Sequence, residues 1–448
     1  PRPSPSSRNP DLSCEAHPTW EDGRVAQQVN PPRGMRDFLP AEKARREAIL
    51  SIIRSSYRAH GFDEIETPVL EDSARLHSGL GGDNEKLSYA VMRRGLTTDD
   101  LRTADTPLEL ADLGLRFDLT VPLARFVATH RAHIPAVFRA VQIAPVWRAE
   151  RPQKGRFRQF VQCDIDIVGE AGQLAEIELL TASIATFAAL GLEGVVVRVN
   201  DRRILNAMLS HLGFPLDAHD GVLITVDKLD KIGTDGVVAE LRERGALETA
   251  VDALAAFLQR PAPEAAPFSA AAVRAALPDG LVAEAIDELT AIGEAVNASA
   301  GAEAVVYDPW LVRGMGYYTG AIFEAGHPSL PFSIGGGGRY DGMIGRFLGD
   351  DVPAAGFSIG FERLVDLVEL PTADEQRAIA IVHAADAPPA QIIAARDRFL
   401  SAGREVRLMR RPKKLAPALA ALAAEGITEW VSVDVGSDPA TLEPRPLA

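Results

Sequence analysis

Five cations, Arg148, Arg151, Lys154, Arg156 and Arg158, fall within eleven residues of the stretch RAERPQKGRFRQFVQCDIDIVG, which runs from Arg148 to Gly169. Asp164 and Asp166 stand just beyond them, in a part of the stretch with no cation. The segments VFRAVQIAPVWRAE and RFRQFVQCDIDIVG read as two strands joined by RPQKG, where Pro152 and Gly155 suit a turn. Alternate residues of a strand share a face. Arg148 and Glu150 then point together on the first strand. On the second, Arg158, Phe160, Gln162, Asp164 and Asp166 point one way, and Cys163, Ile165 and Ile167 the other. A solvated sheet face needs only small polar residues and Thr. Arg, Phe, Gln and Asp in a row point instead to a site. An Arg fork matches phosphate oxygens. Phe160 offers a stacking face for a planar base, and Gln162 and Asp166 can accept from an ammonium or an imidazole N–H.

Three more stretches supply polar groups. LRFDLTVPLAR (115–125) places Arg116, Asp118 and Thr120 on one strand face. LVRGMGYYTGAIFE (311–324) combines Arg313 with the pair Tyr317–Tyr318, one of which is expected to line a site. SIGGGGRYDG (333–342) holds four consecutive glycines, and AAGFSIGFERL (354–364) puts Arg363 in the first turn of a helix. The glycines suit either a flexible loop or close approach of backbone to a flat ligand. A helix start beside Arg363 favours an anion. No G-x-x-x-x-G-K-[ST] loop occurs, so arginines would have to carry any nucleotide phosphates. The nine histidines show no metal-ligand spacing, and no metal site is expected.

These groups must be positioned by a chain of 448 residues, long enough for several domains. Apolar content is 46% and charged content 24%, ordinary for a globular enzyme. A net charge of −15 argues against a generic DNA-coating protein, but a local basic patch can still meet nucleic-acid phosphates. No apolar run reaches the roughly 20 residues of a membrane span, and the first residues carry no secretory h-region. Two cysteines, Cys14 and Cys163, fit a reducing cytoplasm.

Residues 1–30 are Pro/Ser-rich and read as a mobile tail. A helix from Pro40 is signalled by Ile49, Ile52, Ile53 and Tyr57, and it stops at Gly61. GFDEIETPVLE follows as one strand with Ile65, Thr67 and Val69 on one face; Pro68 assigns it to an edge, a bulge or a subunit contact. Residues 31–205 and 301–370 carry the strand-rich halves of one domain. Residues 206–300, Ala-rich at helical spacing, read as a helical insertion. After a linker, 371–448 reads strand–helix–strand–helix–strand, a small α/β domain ending after its third strand. Its basic run, Arg404, Arg407, Arg410, Arg411, Lys413 and Lys414, suits either tRNA phosphates or a solvated strand end.

Taken together, PRGMRDFLP, GFDEIETPVLE, VWRAERPQKGRFRQFVQCDID, LVRGMGYYTG, GGGGRYDG and GFSIGFERL resemble, in order, the class II aminoacyl-tRNA synthetases, and within them the histidyl-tRNA synthetases. The resemblance spans about Pro32 to Leu370. It implies an α/β (α+β) fold: an antiparallel sheet flanked by helices, with a helical insertion and a shortened anticodon-binding-like domain. The strand with Pro68 resembles motif 1, a dimer-interface element, so a homodimer is implied. Arg148 is similar to the motif 2 arginine on the ATP α-phosphate. Glu150 and Arg156 fall in the loop that handles the other phosphates, the adenine and the tRNA acceptor end, and Phe160 would stack on adenine. Arg363 would hold the γ-phosphate. Asp118, Thr120 and Gln162 match positions that hold the α-ammonium of histidine; Asp166 with Tyr317 or Tyr318 match those that read its imidazole. Arg313 resembles the family's catalytic arginine. ATP and histidine tRNA are then substrates, with Mg²⁺ accompanying ATP.

Gly316 departs from this pattern, standing where many members carry an acid, and the C-terminal domain is short. The chief rival is a non-catalytic histidyl-synthetase-like regulatory subunit of ATP phosphoribosyltransferase. Such paralogues erode the catalytic arginines and lack the last domain, whereas Arg148, Arg313 and Arg363 are all present here. A prolyl or threonyl enzyme is disfavoured by RGMGYYTG.

Overall fold

The computed structural model of the chain describes residues 29–77, 87–152, 155–260, 268–278, 280–281, 283–313, 317–370 and 378–447. The expectations for residues 1–28, Lys154 and Gly316 lie outside these residues. The chain opens with α1 (Pro40–Ala59), β1 (Asp63–Glu64), β2 (Leu70–Asp72), α2 (Ser73–Leu76), β3 (Tyr89–Met92), α3 (Thr98–Thr103), β4 (Ala111–Leu115) and α4 (Thr120–His130). The long hairpin β5 (Phe138–Trp147) and β6 (Gln159–Val168) follows, then α5 (Leu174–Ala189) and β7 (Val196–Asp201). Helices α6 (Arg202–His211), α7 (His219–Val226), α8 (Leu229–Glu243), α9 (Glu248–Leu258), α10 (Ala270–Ala275) and α11 (Ala283–Ala300) come before β8 (Val305–Tyr307) and β9 (Ala321–Gly326). Next are β10 (Gly335–Arg339), α12 (Gly342–Leu348), β11 (Ala354–Gly360) and the one-turn α13 (Phe361–Leu364). The last segment holds β12 (Ala378–His383), α14 (Pro389–Ser401), β13 (Glu405–Arg410), α15 (Leu415–Ala424), β14 (Glu429–Val433) and β15 (Arg445–Pro446).

Eight strands form one sheet in the order β1-β5-β6-β11-β10-β9-β7-β8. Its five inner pairings are antiparallel and its two edge pairings parallel. The expected antiparallel sheet flanked by helices is therefore present. Strand periodicity decides which face is which. Val141, Cys163, Ile165, Ile167, Phe357, Ile359, Phe323, Val197 and Val199 are each no more than 2% exposed and belong to one hydrophobic core. Helix α5 packs against β11, and α1 and α11 pack against α5. Ile49, Ile53 and Tyr57 of α1, spaced four apart, enter this core fully buried. Each such side chain stabilises the fold by about 1.5–3 kcal/mol relative to exposure.

The other face carries the polar alternates. The register aligns Gln142, Asp164, Ser358, Gly336, Glu324 and Arg198 in one row across six strands. This face is not solvated: Gln142, Gln162, Asp164 and Asp166 are all at most 9% exposed.

Four expectations are corrected. GFDEIETPVLE is not one strand. Pro68, without an N–H, falls in an irregular stretch between β1, which pairs with β5, and β2, which pairs with β4 in a separate sheet of order β2-β4-β3. Thr67 is buried but Val69 is exposed. Arg116, Asp118 and Thr120 do not share a strand face, because β4 ends at Leu115 and Thr120 opens α4, with Pro122 tolerated in its first turn. The four glycines are not a flexible loop but an inner strand, β10. The last segment does not end at its third strand: β15 adds a two-residue antiparallel edge to a sheet of order β13-β12-β14-β15.

Candidate active site

Local sequence explains how each polar group is held. After β4 the chain turns inward because Arg116 is buried and donates to the carbonyls of Thr67 and Pro145 at 2.7 and 3.0 Å. Arg116 is thus a brace, not a ligand group. The turn presents Asp118, which accepts from the Val121 N–H at 3.2 Å at the start of α4. Its other oxygen, Oδ2, is buried and has no hydrogen-bond partner. Gln162 donates through Nε2 to Ser358 Oγ at 3.1 Å, which leaves Gln162 Oε1 buried and also without a partner. Unmet buried acceptors are costly, and a ligand ammonium would satisfy them.

Asp166 is held by Tyr340, whose hydroxyl donates to Oδ1 at 2.6 Å. That bond passes over Gly356, where a Cβ would lie 2.0 Å from Asp166 Oδ1. The three carboxyls Asp118, Asp164 and Asp166 interact electrostatically. Burial pushes Asp118 up from 3.8 to about 6, against its backbone hydrogen bonds and the charge of Arg148. Burial pushes Asp166 up to about 7, with the Tyr340 hydroxyl pulling it down and Asp118 pushing it further up. Asp164 is raised well above the usual carboxylate range by burial and then by Asp166. A cation bound here would favour all three ionised forms.

The rings of Tyr317 and Tyr318 meet tilted at 53°, 4.7 Å between centroids, and Tyr317 meets Tyr340 edge-on at 6.1 Å. Tyr318, 6% exposed, lies over Gly338, where a Cβ would come within 2.9 Å of its ring. Both tyrosines therefore belong to the site region. Tyr318 lies over Gly338 and interacts with Arg313 and Asp164, and Tyr317 interacts electrostatically with Asp118.

The arginines form the other half. Arg148 donates through Nε to Phe117 O at 2.8 Å, and its guanidinium carbon sits 5.1 Å from the centroid of the Phe160 ring. Arg313 donates to Glu324 Oε2 at 2.9 Å, and Arg198 pairs with the other oxygen of that carboxylate. Gly336 makes room for Arg313, because a Cβ there would lie 2.9 Å from Nη1. Arg363 donates to Ser333 O at 2.6 Å. Burial, then the like charges of Arg156 and Arg313, lower its pKa. Arg156 is exposed and pairs with Glu150 only at 3.5 Å. Arg158, by contrast, is structural, donating to the Glu150 carbonyl at 3.0 Å.

The structure thus brings Asp118, Gln162, Asp166 and Tyr317 together as acceptors and an aromatic wall. It brings Arg156, Arg313 and Arg363 together as a cationic group, while Arg148, beside Phe160, acts electrostatically on Asp118 and Asp164. Thr120 sits at the start of α4 beside Asp118, to which it gives a backbone hydrogen bond. The candidate set lacked Glu324, Tyr340, Ser358 and Asp164. Period two places Asp164 on that face but gives it no role of its own; the others depend on contacts across strands. Among the described residues no group of three or more His, Cys, Asp or Glu is placed to hold a metal ion.

Against known proteins, residues 34–364 match the family model described as Histidyl-tRNA synthetase. The chain is 57% identical over 430 residues to a histidine--tRNA ligase of Leifsonia xyli subsp. xyli (strain CTCB07), covering 94% of this chain and 99% of that one. It superposes on a histidyl-tRNA synthetase from Nostoc sp. PCC 7120 with a TM-score of 0.71 and 25% identity, covering 94% of this chain and 95% of that one. A structure from Bacillus halodurans C, described as an ATP phosphoribosyltransferase regulatory subunit/histidyl-tRNA synthetase, gives a TM-score of 0.72 at 20% identity, covering 92% and 98%; that likeness concerns the fold alone.

Proposed function

The chain belongs to the histidyl-tRNA synthetase family, and we propose that its polar sheet face activates histidine with ATP and passes it to histidine tRNA. The observation that carries the site assignment is the pair of unpartnered buried acceptors, Asp118 Oδ2 and Gln162 Oε1, in a chain that also gathers Arg156, Arg313 and Arg363 within electrostatic range of one another. The acceptors, with Thr120, take the α-ammonium. Asp166, oriented by Tyr340, accepts an imidazole N–H, and Tyr317 closes over the ring. Amino acids without such donors leave these buried groups unpaired, which is the strongest form of discrimination.

ATP lies with its adenine on Phe160 and its triphosphate among the arginines. Arg148 and Arg313 meet the α-phosphate, and Arg363 and Arg156 the outer phosphates, with Glu150 setting Arg156. The histidine carboxylate attacks the α-phosphorus in line. Its oxygen forms the new P–O bond as the bridging oxygen of pyrophosphate leaves, giving histidyl-adenylate. Charge grows on the α-phosphate oxygens, where Arg148 and Arg313 are already fixed by Phe117 O and Glu324. The terminal ribose hydroxyl of the tRNA then attacks the carbonyl carbon, and AMP leaves. Positioning and electrostatics carry both steps, and no protein nucleophile is needed.

Mg²⁺ is assigned to the bound ATP. A homodimer is assigned from motif 1 and from exposed apolar side chains of the small sheet and its approach, Val69, Leu70, Met92 and Leu113, which are 36–59% exposed. The last segment, 378–447, is assigned to tRNA contact, although Arg404, Arg407 and Arg411 also pair with Glu429, Glu425 and Asp434. No helix among the described residues is long and apolar enough to cross a membrane, and a cytoplasmic setting follows from the tRNA substrate. The regulatory-subunit alternative is not favoured, since the 57% identical relative is a ligase and Arg148, Arg313 and Arg363 are all present. The test is charging of a histidine tRNA transcript with radiolabelled histidine. Transfer dependent on ATP supports the reading, and histidine binding without transfer contradicts it.

A further inference from the structure

Arg363 sits on a helix of only four residues, too short to hold its own shape. Its neighbour in sequence, Glu362, is what fixes that turn. The Glu362 side chain is 5% exposed and accepts from Arg36. It also accepts a fork from Arg46 of α1: Nη1 to Oε2 at 2.8 Å and Nη2 to Oε1 at 2.6 Å. A further bond to Oε1 comes from the Val161 N–H at 3.3 Å. Val161 follows Phe160 directly, so one carboxylate joins the aromatic platform of β6 to the turn that carries Arg363.

Arg36 extends the connection. Its guanidinium lies 3.6 Å from the centroid of Phe157, in the turn between β5 and β6, and 5.0 Å from that of Phe38. Arg46 is sandwiched between Phe38 and Phe361 at 4.0 and 4.8 Å. Planar stacking on one axis and forked donation on another fix an arginine in orientation as well as in place. Two cations on one buried carboxylate form a poor stabilising device, because desolvation offsets much of the attraction. What such a cluster does supply is a fixed geometry.

We propose that Arg36 and Arg46 are positioning residues for ATP: through Glu362 they set the spacing between Phe160 and Arg363, and hence between the adenine and γ-phosphate contacts. This rests on the assignment of Phe160 and Arg363 to ATP made above. The selectivity it implies is sharp. The cluster's side chains hydrogen-bond to no side chain assigned to histidine and reach Gln162 only through the backbone of Val161, so its loss is expected to act chiefly on ATP.

The experiment is pyrophosphate exchange by the full-length protein, with ATP and histidine varied separately, for Arg36→Ala, Arg46→Lys, Glu362→Gln and the double variant Arg36→Ala/Glu362→Gln. The KM for ATP is expected to rise about tenfold or more in each single variant, while the KM for histidine stays within about twofold. The double variant is expected to be no worse than its worse parent, since both changes break one linkage. Equal rises in both KM values, an unchanged KM for ATP, or additive losses would overturn the proposal. The Arg36 side chain is 35% exposed, so Arg36→Ala decides the matter even if Glu362→Gln does not fold. Absence of histidine-dependent exchange in the unmodified protein would instead remove the underlying reading of the site.

Discussion

At the scale of single residues, the site is a set of groups whose charge states are under tension. Asp118 and Asp166 titrate near about 6 and about 7 in the folded chain, against an ordinary value of 3.8. The folded state therefore takes up protons in that window before the unfolded chain does. Stability of the ligand-free protein rises as pH falls from about 7 toward the unfolded value of 3.8, and the full penalty of the ionised forms is felt above about 7. Histidine binding needs the ionised forms, so affinity falls over the same window. Calorimetric titration with histidine at several pH values, beside thermal unfolding curves, checks both signs. Asp118→Asn removes a buried charge while keeping an acceptor for Val121. It is expected to raise Tm by a few degrees and weaken histidine binding by about 100-fold or more, a loss of the size seen when a charged hydrogen bond is removed. Glu324→Gln loosens Arg313 without deleting it. It is expected to lower kcat about tenfold with little effect on the KM for histidine, whereas Arg313→Ala lowers kcat by about 10²–10³. The sequence made the alternation through Gln162 and Asp166 visible, because period two needs only one strand. It could not show that Tyr340 serves Asp166, since those residues are 174 apart and meet only across β11.

At the scale of elements, glycine on inner strands is what lets this sheet carry a site. A Cβ at Gly337 would lie 1.9 Å from Gly356 O, and one at Gly356 would displace the Asp166 carboxylate. Gly356→Ala is expected to cost about 1–3 kcal/mol in chemical denaturation. It also raises the KM for histidine while leaving the KM for ATP nearly unchanged. The hairpin β5–β6 was legible because its apolar alternates are uninterrupted and its turn holds Pro152 and Gly155. The stretch from Gly61 to Glu71 was misread as one strand because Ile65, Thr67 and Val69 mimic alternation. Pro68 breaks it in fact, and its two ends pair in different sheets. The LRFDLT stretch misled in the same way. Arg116 behaves as a buried brace, a role that residue type does not reveal.

At the scale of the whole molecule, the helical character of 206–300 and the strand–helix alternation of the last segment were readable from composition, although the helices begin at Arg202 and a fourth strand, β15, closes the segment. Assembly is not readable in that way. The exposed apolar residues of the small sheet lead us to expect a sedimenting species of twice 48.0 kDa. Leu70→Asp combined with Met92→Asp is expected to give monomers without activity. Removal of residues 371–448 is expected to abolish charging of tRNA but to retain pyrophosphate exchange within about tenfold, because none of the groups assigned to adenylate formation lies there.

The most direct measurement is histidine-dependent pyrophosphate exchange into ATP, run with each of the twenty amino acids in turn on the unmodified protein and on Arg313→Ala. The expected result is exchange with histidine alone, falling by about 10²–10³ in the variant. Exchange with another amino acid, or histidine binding with no exchange at all, would contradict the assignment of this face to histidine activation.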